Sequence, residues 1–142
     1  MYKKILVPID GSEKSLKAAR HAARIAEKMD GTVTLFHVLP QPPSYYMRSV
    51  DNIHQIILNE AQKYAAEVMQ TTKEQLADYH LTIECQTAIG HAADEICRKA
   101  REENYDLIVI GSRGLGELAG YIMGSVSNRV VRHAPCPVLV VR

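Results

Sequence analysis

The chain has 142 residues, of which 46% are hydrophobic and 23% charged, and a formal net charge of +1. That length and balance suit one domain, residues 1–142, with a core large enough to need no disulfide or metal staple. The near-neutral charge excludes a global attraction for nucleic acid or anionic membrane, and no apolar run approaches the ~20 residues of a membrane span.

In chain order, the first element is a short continuous apolar run, Ile5–Ile9, of the kind that suits a strand covered on both faces. A helix is expected from Glu13 to Met29. Leu16, Ala19, Ala23 and Ala26 form its stripe, widened by Ala22, Ile25 and Met29. Ser12 suits the N-cap and Gly31 the position just past the end. Thr32–Val38 is β-branched and reads as a second strand. Pro40–Ser49 fits neither pattern: it holds three of the six prolines and two of the seven tyrosines. It reads as an exposed loop, either a tolerated insertion or a lid or partner contact. From Asp51 to Tyr79, Ile53, Ile57, Ala61, Tyr64, Val68 and Leu76 keep a helical rhythm. Leu81–Ala88 alternates as an edge strand does, and His91–Glu103 carries a stripe of Ala93, Ile96 and Ala100. Leu107–Ile110 is again a continuous apolar run. The last helix carries Val126, Val130 and Ala134, and Pro135 and Pro137 stop it before the final strand, Val138–Val141.

Strands and helices therefore alternate, which implies a parallel sheet with helices on both faces. A strand order of 3-2-1-4-5 puts the topological switch between strands one and four, where such sheets bind ligands. Asp10 should then face Gly111 across the switch. The three cysteines, Cys85, Cys97 and Cys136, form no C-x-x-C pair and read as buried, reduced thiols of a cytoplasmic protein. The apolar stretch at the N-terminus is too short for a signal peptide.

Five of the eight glycines fall between Gly111 and Gly124, between a buried strand and a helix start. Glycine lets backbone approach a ligand closely, and a helix N-terminus adds unpaired N–H groups and partial positive charge. The spacing is Gly111-x-x-Gly114, nine residues, then Gly124-Ser125. Such a loop could set backbone amides and the hydroxyls of Ser112, Ser125 and Ser127 around phosphate oxygens, with Arg113 as an extra cation. The alternative is an ordinary flexible turn. No lysine precedes Ser125, so the loop lacks the grip of a P-loop. The G-x-G-x-x-A run from Gly114 to Ala119 follows the wrong strand for a dinucleotide fingerprint. Asp10 would repel a triphosphate, so it should face an uncharged sugar, where it can accept two hydroxyl bonds. Asp10-Gly11-Ser12 is also a good helix entry, and the two roles are compatible. The six histidines include no H-x-x-x-H pair, which disfavours a metal site; His37 reads as structural.

The G-2x-G-9x-G-S pattern, with VPIDGS near the start and HAPCPVLVV at the end, resembles the ATP-binding branch of the universal stress protein family along the whole chain. The resemblance implies a Rossmann-like (adenine nucleotide alpha hydrolase-like) sheet of five parallel strands. It also implies a homodimer and a regulatory, nucleotide-binding role in stress adaptation. Carried over, Pro8 and Ile9 would lie beside the adenine, Asp10 would bond the ribose and Val38 would meet the adenine edge. Gly111, Ser112, Arg113 and Gly114 would cradle the ribose and α-phosphate. Gly124, Ser125, Val126 and Ser127 would hold the β- and γ-phosphates of ATP or another adenine nucleotide. A divalent ion, Mg2+ or Mn2+, would be bound through the phosphates and not by protein side chains.

Three functions follow. The first is an ATP-binding regulator that acts on an unidentified protein partner. The second is a slow ATPase or phosphotransferase, for which Glu117 is the one candidate to orient water. The third is a nucleotide-independent dimeric scaffold joined through Val138–Val141, whose apolar edge needs cover. The first is expected, with at most weak ATP hydrolysis and no catalytic residue.

Overall fold

A computed structural model describes residues 1–41, 51–114 and 123–142. Most of the Pro40–Ser49 segment, and Glu117 with the rest of the Gly114–Ala119 match beyond Gly114, lie outside the described residues. The elements are β1 (Lys4–Pro8), α1 (Glu13–Met29), β2 (Thr32–Leu39), α2 (Asp51–Gln75) and β3 (Thr82–Ile89). They are followed by α3 (Ala92–Glu102), β4 (Leu107–Gly111), α4 (Ser125–His133) and β5 (Val138–Val141).

The five strands form one parallel sheet in the order β3-β2-β1-β4-β5. Period-two alternation divides the core into two layers. Ile5, Val7, Ile9, Val33, Leu35 and Val109 face α1 and α2, while Leu6, Phe36, Ile108 and Ile110 face α3 and α4. Burial on both faces explains why the two central strands, β1 and β4, read as unbroken apolar runs. β3 alternates because it is an edge, with Thr82, Glu84, Cys85, Thr87 and Ile89 exposed. Cys85 is therefore exposed; of the three free thiols only Cys97 is fully buried. The edge position defeats the expectation that all three are buried.

α1 begins on Ser12, whose side chain accepts from the Ser15 amide at 3.2 Å, a cap worth about 1 kcal/mol. Its buried face is Ser15, Ala18, Ala19, Ala22, Ala23 and Ala26, and the five alanines are fully buried. These small side chains let α1 lie close on β1 and β4. Leu16 lies at the margin and Met29 is exposed, so the expected stripe is rotated toward the alanines. The left-handed turn at the helix end is taken by Asp30 (φ 54°), and the Gly31 amide donates to the Ala26 carbonyl at 2.8 Å. α2 stops at Gln75, short of Tyr79, but Leu76 beyond its end is still fully buried.

The sheet opens where the order reverses. β1 pairs with β2 as far as Pro8–Phe36, but with β4 only at Ile5–Leu107 and Leu6–Ile108. The carboxyl ends of β1 and β4 thus part beyond Leu6, and a crevice forms between them.

Candidate nucleotide site

The crevice is a cavity of about 210 Å³. Its floor comes from the ends of three strands: Pro8, Ile9 and Asp10 after β1, Phe36, His37 and Val38 on β2, and Ile110 and Gly111 on β4. Ala92 and Ile96 of α3 close one side, and Ser15 of α1 lies opposite them in the wall. Arg113, Gly114, Gly124, Val126 and Ser127 complete it. The lining thus has an apolar part of aliphatic and aromatic side chains and a polar part around Asp10 and the start of α4. That division suits a ligand with a flat, apolar end and an anionic end.

Backbone geometry sets the polar part. The Gly124 amide donates to the Ser112 carbonyl at 2.7 Å, which brings the start of α4 back to the end of β4. Ser127 strengthens the closure, with its hydroxyl 2.8 Å from the Ser112 carbonyl oxygen and 3.1 Å from that of Gly124. Intrahelical bonding begins with the Asn128 amide to the Gly124 carbonyl, at 3.0 Å. The amides of Ser125, Val126 and Ser127 precede it and have no intrahelical partner, as at any helix start. With the helix dipole they favour an anion.

Across the crevice, the Asp10 carboxylate accepts from the Ser12 amide at 2.9 Å through Oδ1. Asp10 therefore leads into the cap without being the cap, which is Ser12. Its Oδ2 points at Gly114, where an added Cβ would overlap it. Gly111 has a different constraint: a Cβ there would lie 2.8 Å from the carbonyl carbon of Lys14, in the first turn of α1. Both glycines are positions of close approach.

His37 is buried, and its Nδ1 lies 2.8 Å from the Ile9 carbonyl oxygen. A carbonyl can only accept, so Nδ1 carries the proton and donates. The His37 ring stands edge to face with Tyr64 of α2. The Tyr64 hydroxyl donates to the Asp10 carbonyl at 2.5 Å. Burial first, and then the Asp10 charge, push the Tyr64 phenol above its ordinary pKa.

A family model described as the universal stress protein family matches residues 1–142. The chain belongs to the universal stress protein family. Universal stress protein MJ0531 of Methanocaldococcus jannaschii is 34% identical to it over 142 residues, spanning 100% of this chain and 83% of the relative. Universal stress protein UspA from Lactobacillus plantarum shares the fold at a TM-score of 0.90 and 27% identity, over 99% of this chain and 98% of its own. A universal stress protein in complex with cAMP matches at a TM-score of 0.75 and 27% identity, over 99% and 97% of the two chains.

In this universal stress protein, Pro8, Ile9, Asp10, Val38, Gly111, Arg113, Gly114, Gly124, Val126 and Ser127 all line the one cavity, as sequence reasoning grouped them. Ser112 and Ser125 do not. Ser112 is buried behind the wall, with its amide donating to Val141 and its carbonyl closing the loop. Ser125 is exposed at the helix start. Phe36, Ser15, Ala92, Ile96 and Ile110 were not expected there. Phe36 and Ile110 had a usable signal, since both lie near the carboxyl ends of strands that flank the switch. Ala92 and Ile96 come from a helix whose sequence shows only an amphipathic stripe. Among the described residues, no group of three metal-ligating side chains is placed to hold an ion. None of their helices is long and apolar enough to cross a membrane.

Proposed function

We propose that this protein is a regulatory module that binds an adenine nucleotide, with ATP as its working ligand. The observation that carries the reading is the close approach of the Asp10 carboxylate to Gly114 in the wall of a cavity that also reaches the start of α4. The purine fits the apolar part, against Ile9, Phe36 and Val38. Asp10 accepts the ribose hydroxyls, and Gly111, Arg113 and Gly114 border the sugar and α-phosphate. The amides of Ser125, Val126 and Ser127 take the outer phosphates, and Gly124 ties the start of α4 to the end of β4. Ser112 serves as the fastening for this loop. A divalent ion would travel on the phosphates. The cAMP complex of a similar universal stress protein supports the choice of base.

Binding, not turnover, is the proposed activity. Among the described residues, the cavity lining has one carboxylate, Asp10, and no lysine. Phosphoryl transfer needs charge clamps and an oriented nucleophile, and the described lining offers one cation, Arg113, and no second carboxylate to orient water. A nucleotide-ordered surface read by a protein partner needs only differential affinity between two states. Stress adaptation in the cytoplasm is the setting proposed for it, and the free thiols suit a reducing compartment. The unit is proposed to be a homodimer paired along β5.

A thermal-shift series tests the ligand. ATP at 100 times its dissociation constant should stabilise the fold by about 2.7 kcal/mol. That corresponds to a rise on the order of 10 °C. ADP, AMP and cAMP should act in the same direction, and GTP should do less. No shift at millimolar ATP would overturn the proposal.

A further inference from the structure

Tyr64 touches the site without lining the cavity. It stands on α2, and no described residue of that helix lines the cavity. Its hydroxyl nevertheless donates to the Asp10 carbonyl at 2.5 Å. The next residue, Gly11, has φ +89° and lies so near the phenol that a Cβ there would collide with the Tyr64 hydroxyl. The Tyr64 ring meets that of His37 with centroids 5.8 Å apart, and His37 holds the Ile9 carbonyl. Two successive carbonyls, those of Ile9 and Asp10, are thus fixed by side chains from β2 and α2. They belong to the segment that leads from β1 to the Asp10 carboxylate. The Asp10–Gly11 peptide leads directly to the Ser12 amide, which holds Asp10 Oδ1 at 2.9 Å, and Oδ2 points at Gly114.

The bond is not needed to hold α2 in place. α2 is anchored by Ala65, Val68, Met69 and Thr72, all buried, whereas Tyr64 is 39% exposed. A half-exposed phenol gains little for the fold from one carbonyl. Its consequence is local, and it falls on the one carboxylate that lines the cavity among the described residues.

We infer that Tyr64 is a positioning residue, which sets the direction of the Asp10 carboxylate and so the preference of the site for ligands with free ribose hydroxyls. This rests on the adenine-nucleotide reading of the cavity. It makes one side chain of α2, that of Tyr64, part of the binding machinery.

Tyr64→Phe removes one oxygen and keeps the ring against His37. Wild type and variant are titrated by calorimetry with ATP and with 2′,3′-dideoxy-ATP, which lacks both ribose hydroxyls. Wild type should prefer ATP. Tyr64→Phe should weaken ATP about fivefold to tenfold, as expected for one mispositioned charged acceptor, and leave dideoxy-ATP unchanged. Met69→Ala, a cavity substitution on the same helix, should lower the melting temperature and leave the ratio of the two affinities as in wild type. Equal weakening of both ligands by Tyr64→Phe, an unchanged ATP affinity, or a variant that does not fold would each overturn the inference. Wild type that binds neither ligand would instead overturn the nucleotide reading on which it stands.

Discussion

Gly114→Val should weaken ATP binding by at least about 100-fold while the protein stays folded. The Cβ would overlap Asp10 Oδ2 and lie 3.7 Å from Asp10 Cγ, with no other contact within 4 Å among the described residues. Among the described residues, the substitution therefore acts on one side chain. It drives the carboxylate from its place, and the branched side chain fills the space where the sugar would sit. Hydrogen bonds to a charged group contribute about 1.5–3 kcal/mol each, so losing two costs roughly 3 kcal/mol or more. A loss of that size is about two decades in affinity. Gly114 is not in the core, so the melting temperature should move little. Calorimetry with ATP and far-ultraviolet circular dichroism check the two halves. Affinity within about threefold of wild type would show that the carboxylate is not where the ligand binds.

In the proposed homodimer, Val140→Lys should convert the dimer into a monomer. β5 pairs with β4 on one side and ends the sheet. Its sequence is Val-Leu-Val-Val, and Leu139 is 37% exposed. An apolar edge of this kind is an aggregation site unless something covers it. A second copy, paired antiparallel across a two-fold axis, would cover it and would place the middle residues of the strand opposite their twins. Val140 is half-buried against the α3–α4 core layer, so lysines there would place two ammonium groups in a desolvated region beside the seam. The dimer should weaken by at least about 100-fold. Sedimentation at micromolar concentration should give twice the 15.8 kDa chain mass for wild type and the single mass for the variant. A Val140→Lys protein that remains a dimer would exclude this interface.

The fold was legible because its signals are local. Strands buried on both faces must be apolar at every position, so Ile5–Ile9 and Leu107–Ile110 stand out without knowledge of their neighbours. Alternation made the sheet parallel, and 3-2-1-4-5 was one of the doubly wound orders that this allows. The phase of α1 was less legible. Alanine stripes leave several faces nearly equivalent, and only contact with the sheet selects Ala18 and Ala22 over Leu16 and Met29.

The candidate site was legible by residue type and not by direction. A serine hydroxyl can donate to a carbonyl or face a ligand, and the sequence of Ser112, Ser125 and Ser127 does not distinguish these. In the structure Ser127 donates inward, Ser112 is used through its backbone and Ser125 faces solvent. Tyr64 was hidden for another reason. It lies 54 residues from Asp10 in the chain and falls in the ordinary rhythm of an amphipathic helix. A contact of that range has no sequence signal in a single chain. Asp10, by contrast, ends a buried strand as a lone carboxylate, which is costly unless something there needs it.

The most direct test of the account is a crystal structure of the protein with ATP and Mg2+. The ribose hydroxyls should lie within hydrogen-bonding distance of the Asp10 carboxylate, with the outer phosphates on the amides of Ser125, Val126 and Ser127 and the purine beside Val38. ATP bound elsewhere, or in this cavity with its phosphates at Asp10 and its base at α4, would contradict it.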